Sequence, residues 1–192
     1  MELDIQTVRN LELAQTMRTL DKKGSLLWVL DKTKTPMGAR LLRAWLSKPL
    51  LAPMAIKRRH AAVAELVAET VKRSEMTLGL RDINDIERLA NRAVYGNANA
   101  RDMLSLSNSI KAIPSVISQL DGMKSHMLRN IAEMDILSDM AEQIGAAIAD
   151  DPPFSIREGG MIRRGFNAEV DRLRDLLEDS TGAMAKIEAK ER

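Results

Sequence analysis

The sequence predicts an all-α domain, and three observations carry that reading. Aromatic residues make up only 3% of the chain, too few for a strand-rich fold. Leu, Ala, Met, Glu, Lys and Arg dominate, and these lose little freedom on entering a helix. Apolar residues recur at three- and four-residue spacing along most of the chain, punctuated by prolines, glycines and short polar caps. The 192 residues, 45% apolar, suffice for one sizeable domain without disulfide staples. The twelve methionines suit an adaptable helical core.

The elements follow in order. Asp4 to Leu20 has helical spacing through Ile5, Val8, Leu11, Met17 and Leu20, and Lys22-Lys23-Gly24 ends it. Leu26 to Leu30 is an apolar run compatible with a strand or a helix; with no partner strand in sight it is read as helix. Thr35-Pro36 starts the next helix, since threonine caps the first free amides and proline at the first position has no amide to lose. Met37, Leu41, Leu42, Trp45 and Leu46 form its apolar stripe, and Pro49 halts it near Lys48. Trp28 and Trp45 both sit on apolar stripes and read as core.

Pro53 opens a helix whose core face is Ile56, Val63, Leu66, Val67 and Val71. Asp82 is the expected cap of a helix carrying Ile83, Ile86, Leu89, Ala90, Ala93 and Val94, with Gly96 as its terminator. Asn99 and Asp102 suit the first turn of the next helix, with Met103, Leu106, Ile110 and Ile113 as its stripe, and Pro114 is expected to kink or divide it. Met127, Leu128 and Ile131 mark another helical piece. Asp135 is expected to start one with Leu137, Met140, Ile144 and Ile148, closed by Asp150-Asp151-Pro152-Pro153. Phe154 to Phe166 is irregular. Asn167 then caps a final helix bearing Val170, Leu173, Leu177, Met184 and Ile187, about 39 Å long if it reaches Arg192. Ser180-Thr181-Gly182 is its weak point. No stop signal closes this helix, which is read either as a chain cut inside a longer helix or as a charged tail.

Charge and composition exclude several functions. Lys and Arg total 29 against 27 Asp and Glu, a net charge of +2, so the chain as a whole is not a strongly cationic nucleic-acid binder. There is no cysteine, and His60 and His126 are the only histidines, which removes thiolate chemistry and sulfur-ligated zinc. No apolar run has the length of a membrane span, and no signal-peptide pattern opens the chain. Gly160 to Gly165 has the glycine spacing of a phosphate-binding loop. Phe166 and Asn167 stand where Lys and Ser or Thr belong, and no strand precedes it, so it reads as a turn. Asp82/Asp85 and Asp150/Asp151 read as first-turn and helix-ending acids, and nothing places them beside a base or pocket. An autonomous enzyme is therefore not expected. From Lys22 to Arg59, however, ten residues are basic and only Asp31 is acidic. That stretch is a solvated face, a docking surface for an acidic neighbour, or a phosphate-contacting surface of a freestanding nucleic-acid-binding module.

Three blocks carry a family resemblance. The first is Leu3-Asp4 with Thr7 to Leu13, including Arg9, Asn10 and Glu12. The second runs from Gly24 through Trp28 to Asp31 and on through Thr35 to Leu46 with Pro49-Leu50, including Gly38, Arg40 and Trp45. The third is Asp85 to Leu89, with Glu87 and Arg88, followed by Gly96 and Ala100 to Asp102. A weaker echo lies at Ile162 to Asn167 and Glu169 to Arg174. In order and extent these blocks resemble the core or lever region of the MutS DNA mismatch repair family.

The resemblance implies an all-α lever and core domain. Residues 1–165 are expected to form its helical core, and residues 166–192 the start of a long lever helix leading towards a clamp domain. Neither the family's Phe-and-Glu wedge motif nor its ATPase phosphate-binding loop occurs here. Catalysis, ATP and Mg²⁺ are therefore expected to belong to the parent protein, with no cofactor or metal in this segment. The implied partners are the clamp, connector and ATPase domains and, through the parent, mismatched duplex DNA. The parent is expected to be a homodimer in the bacterial cytoplasm, on the nucleoid, with no membrane partner. Arg9, Asn10, Glu12, Trp28, Gly38, Arg40, Trp45, Pro49, Glu87 and Arg88 are the motif residues. Arg9 and Glu12 are expected to pair on one helix face, and Arg40 and Arg43 are the candidates for contact with a neighbouring domain or DNA backbone.

Overall fold

The structure is a computed structural model that describes residues 2–191, with side chains described as far as Asp179. It is all-α. In chain order the helices are α1 (Ile5–Asn10), α2 (Leu26–Leu30), α3 (Pro36–Ser47), α4 (Pro53–Ala68), α5 (Thr70–Gly79), α6 (Ile86–Val94), α7 (Ala100–Ile117), α8 (His126–Ala132), α9 (Ser138–Ala147) and α10 (Ala168–Glu191). Among the described residues the only β pairing is an antiparallel bridge between Ile148 and Ile162.

Local chemistry sets most of the starts. Asp4, Ser25, Thr35 and Asp85 each accept an amide of the first turn of the helix they precede. Asn99 and Asp102 close a reciprocal capping box at α7, and Asn167 accepts the amides of Glu169 and Val170. Such caps satisfy donors that the helix itself leaves free. At the end of α6, Gly96 turns left-handed (φ +70°), and the amides of Gly96 and Asn97 bond back to Ala93 and Arg92. Glycine adopts this geometry without a Cβ clash.

Helix α7 is the hub, packing along α9, α5 and α6. Two apolar clusters form the core. Leu106 and Ile110 of α7 meet Ala141 of α9, with Ile86, Leu89 and Ile144 against them. Ala62 of α4, Leu128 of α8, Leu120 and Met123 form the second, backed by Leu66 and Met76. Two glycines face α7. A Cβ at Gly79 would lie 2.9 Å from Val116, so α5 approaches α7 closely there, and one at Gly145 would lie 2.9 Å from the far end of Lys111, at Nζ. The buried Ser107 donates its hydroxyl to the Ala141 carbonyl at 2.7 Å, and Ser109 accepts the Asn84 amide.

Several expectations are corrected. The first helix stops at Asn10, not Leu20. Glu12 and Leu20 turn left-handed, and the chain folds back so that the Glu12 and Leu13 carbonyls accept the amides of Leu26 and Leu27. The Pro53 helix ends at Ala68, and a separate helix begins at Thr70. Its core face is Ala62 and Leu66; Val63, Val67 and Val71 are exposed. Asp85, not Asp82, caps α6, while Asp82 ends a 3₁₀ turn, Leu80–Asp82. Pro114 does not divide α7, which runs on to Ile117 before a 3₁₀ turn, Ser118–Leu120. The helical piece around Met127, Leu128 and Ile131 is α8, which begins at His126. Asp135 accepts the amide of a left-handed Leu137, so α9 starts only at Ser138. Ile148 leaves the helix for the bridge to Ile162. Leu173 and Leu177 of α10 are exposed, while Met184 and Ile187 lie outside the described side chains.

Candidate functional site

The basic stretch folds into α2, α3, the start of α4 and their connections, and three of its ten cations, Lys22, Arg40 and Lys48, form ion pairs among the described residues. Lys22 bonds Asp31 at 2.6 Å, and that lysine, with the Thr33 hydroxyl, holds the Asp31 carboxyl down to a pKa of about 2. Lys48 pairs with Glu2 at 2.9 Å. The Arg59 guanidinium lies 3.5 Å from the ring centre of Trp45, a cation–π stack. Trp45 is therefore half-buried under an arginine, in a shallow groove with Pro49, Leu50, Ile56 and His60. Trp28 is not core: it is 47% exposed, and Leu27 is the buried residue of α2.

Arg40 is the most heavily engaged cation. Its two Nη atoms reach the two carboxylate oxygens of Asp85, each at 2.7 Å. Its Nε and Nη2 also donate to Glu87, at 3.2 and 2.6 Å. This two-sided fork uses the planar geometry that distinguishes arginine from lysine. Asp85 simultaneously caps α6 through the Arg88 amide, and its carboxyl is held down to about 2, chiefly by Arg40. Arg40, Glu87, Arg88 and Tyr95 border a pocket of about 340 Å³. On the other side, Arg40 and Arg43 border a smaller one, about 160 Å³, with Lys22, Leu27 and Asp31.

The structure thus joins the second and third sequence blocks through Arg40, Asp85 and Glu87. Arg43, Lys23, Lys32 and Lys34 make no ion pair among the described residues. Gly38 fits close beneath the Thr35 cap, where a Cβ would meet the threonine oxygen at 3.1 Å. Arg9 and Glu12 do not pair. Glu12 lies outside α1 and accepts the Met17 amide at 2.7 Å. Arg9 borders a largely apolar pocket of about 330 Å³ with Ile5, Val8 and Leu20. Asn10 is exposed at the end of α1.

Three sets of contacts escape sequence reasoning. The Glu65 carboxylate on α4 accepts the amides of Lys124 and Ser125 before α8, and these donors hold its pKa below the ordinary value. Arg163 grips both oxygens of Asp150. At the foot of α10, Arg174 donates to the Ile162 carbonyl, Asp171 accepts the Gly165 amide, and Arg164 pairs with Asp175. Ile162 to Gly165, Asp171 and Arg174 lie in the weaker family echo, which marks the residues without their pairing; nothing beyond the presence of a charge marks Glu65.

Among the described residues no group of three or more His, Asp or Glu is arranged to hold a metal ion, and no helix is long and apolar enough to cross a membrane. The fold and its ion-pair clamps define an all-helical domain assembled around one central helix, with ion pairs holding the foot of its last helix. Comparison with known proteins identifies which such domain it is. The family model described as MutS domain III matches residues 6–191, and the chain belongs to that family. The chain is 44% identical to the DNA mismatch repair protein MutS of Symbiobacterium thermophilum, 46% to that of Acetivibrio thermocellus and 45% to that of Methanosarcina barkeri. Each match takes in the whole chain and 22% of the relative's length.

Proposed function

We propose that this domain is the structural core and lever base of a DNA mismatch repair protein, transmitting movement between a nucleotide-binding domain and a DNA-embracing clamp elsewhere in the same polypeptide. The observation that carries this reading is α10. It is 24 residues long, about 36 Å at helical rise. Among the described residues it packs extensively on no other helix, and it is anchored at its foot by Arg164, Asp171 and Arg174. A stiff rod held at one end transmits rigid-body rotation.

In this reading residues 1–165 are the base and 166–192 the start of the rod. ATP, Mg²⁺, catalysis and mismatch recognition belong to other domains of a bacterial, cytoplasmic, dimeric parent that acts on DNA. Arg40 closes an internal clamp, and Arg43 is left to face a neighbouring domain or the DNA backbone. The test is Leu173→Pro in a full-length relative. Proline removes a helix hydrogen bond and clashes with the preceding turn, so the rod breaks above its foot. Nucleotide binding should be retained while the nucleotide-dependent change in DNA affinity is lost. A variant whose nucleotide and DNA binding remain coupled as before would refute the lever role.

A further inference from the structure

We propose that residues 2–52 form an arm that swings on the 48–52 connection, and that Arg40, gripping Asp85 and Glu87, is the latch that holds it closed against the body formed by α4 to α9. This inference concerns the chain's own mechanics and stands independently of the lever reading.

The arm is internally tied. Leu26 and Leu27 donate to the Glu12 and Leu13 carbonyls, α2 packs on α3, and Lys22–Asp31 and Lys48–Glu2 close ion pairs within it. Its buried apolar side chains are Leu13 and Leu27, and neither belongs to the two clusters that make the body's core. No helix of the arm packs extensively along a helix of the body. The described contacts between the two are the Arg40 ion pairs and the Arg59 guanidinium over Trp45. Trp45 under Arg59 lies beside the connection, where Pro49 has already broken the helix. Arg40 lies seven residues back along α3, about 10 Å from the end of that helix at helical rise. It meets residues 45 and 47 positions away in sequence.

A joint held at one side by a short connection and at the other by a multidentate ion pair opens when that pair breaks. Apolar packing would resist opening in proportion to area. An ion pair instead exchanges its partners for water, and little apolar surface is lost when it does. The two carboxylates cover the fork of Arg40 from two sides, so a lysine there would keep the charge and lose the grip.

The absence of cysteine makes site-directed spin labelling clean. Labels at Ala44→Cys and Glu142→Cys report arm to body, and labels at Glu75→Cys and Glu142→Cys report the body alone. Pulsed dipolar distance measurements on the 192-residue chain should give one narrow arm-to-body distance. Arg40→Gln should raise the open population about tenfold, with Arg40→Lys intermediate and the body distance unchanged. Glu87 is 62% exposed, so Glu87→Gln removes half the latch without threatening the fold, and it should broaden the arm-to-body distribution in the same direction. If Arg40→Gln disturbs the body distance too, Glu87→Gln decides. An arm-to-body distribution unchanged in Glu87→Gln, or in Arg40→Gln with an intact body, would overturn the proposal.

Discussion

At the scale of single residues, the chain leans on carboxylates whose protons are suppressed by the fold. Asp31 and Asp85 are each held down to about 2, by Lys22 and Arg40 respectively. Glu65 is lowered by the Lys124 and Ser125 amides and Asp150 by Arg163. A carboxyl with a lowered folded pKa binds its proton more readily when unfolded. Its contribution is therefore complete above the ordinary carboxylate value and is lost as pH falls through the folded one. The urea midpoint should stay flat from pH 7 to about 5 and fall between about pH 4 and 2. Asp85→Asn should lower the midpoint at neutral pH and flatten the acid limb, because it removes one of the groups that titrate there. A wild-type midpoint already falling between pH 7 and 5 would contradict this assignment. None of these partnerships could be read beforehand. Thr35-Pro36, Asn99 with Asp102, and Asn167 were legible because a cap and its amides lie within three residues. Arg40 and Glu65 find partners 45 to 60 residues away, and the sequence shows only that charges exist.

At the scale of elements, the outcome turns on how closely neighbours approach α7. Helical periodicity located α3, α6, α7 and α9, because a stripe and a cap suffice to mark a helix. It failed where one stripe spans two helices, as from Ile56 to Val71, and where a non-glycine residue turns left-handed, as at Glu12 and Leu20. It also assumed that every apolar stripe is covered. Val63 and Val67 show that the pattern marks a face that can be buried, not one that is buried in this chain. Two glycines test the packing itself. Alanine is the better helix former by about 1 kcal/mol, so both Gly79→Ala and Gly145→Ala should stabilise if space allowed. At Gly79 the added methyl meets the stiff β-branched Val116 at 2.9 Å. At Gly145 it meets the far end of the Lys111 side chain at the same distance, and a lysine ammonium can move aside. Gly79→Ala should therefore destabilise by about 1–3 kcal/mol through overpacking, while Gly145→Ala should be neutral or stabilising by up to about 1 kcal/mol. Chemical denaturation of the two variants checks this, and equal effects would mean that α5 and α9 do not approach α7 as described.

For the whole molecule, area decides. The chain exposes 14062 Å², whereas a compact monomer of its mass would expose about 9,100 Å². Leu26, Trp28, Val29 and Leu30 of α2, Val63 and Val67 of α4, and Leu173, Leu176 and Leu177 of α10 all lie open. Exposed apolar area on this scale marks surfaces suited to partners, which fits a domain that spans 22% of its relatives' length. It also has a thermodynamic consequence that does not depend on any partner. An unfolded chain of this mass exposes about 31,000 Å², so folding buries about 55% of it instead of the roughly 70% usual for this size. The denaturant slope scales with the surface exposed on unfolding. The urea m-value of the 192-residue chain should thus be about three-quarters of that expected for its length. Self-association would hide this by covering the open faces, so the measurement belongs at low concentration, with sedimentation velocity confirming the monomer. Glu substitutions at Val63 and Val67 should suppress any association while leaving the slope unchanged, since both side chains are already in water. A monomer with a slope ordinary for its length would mean that the open faces close on one another in solution.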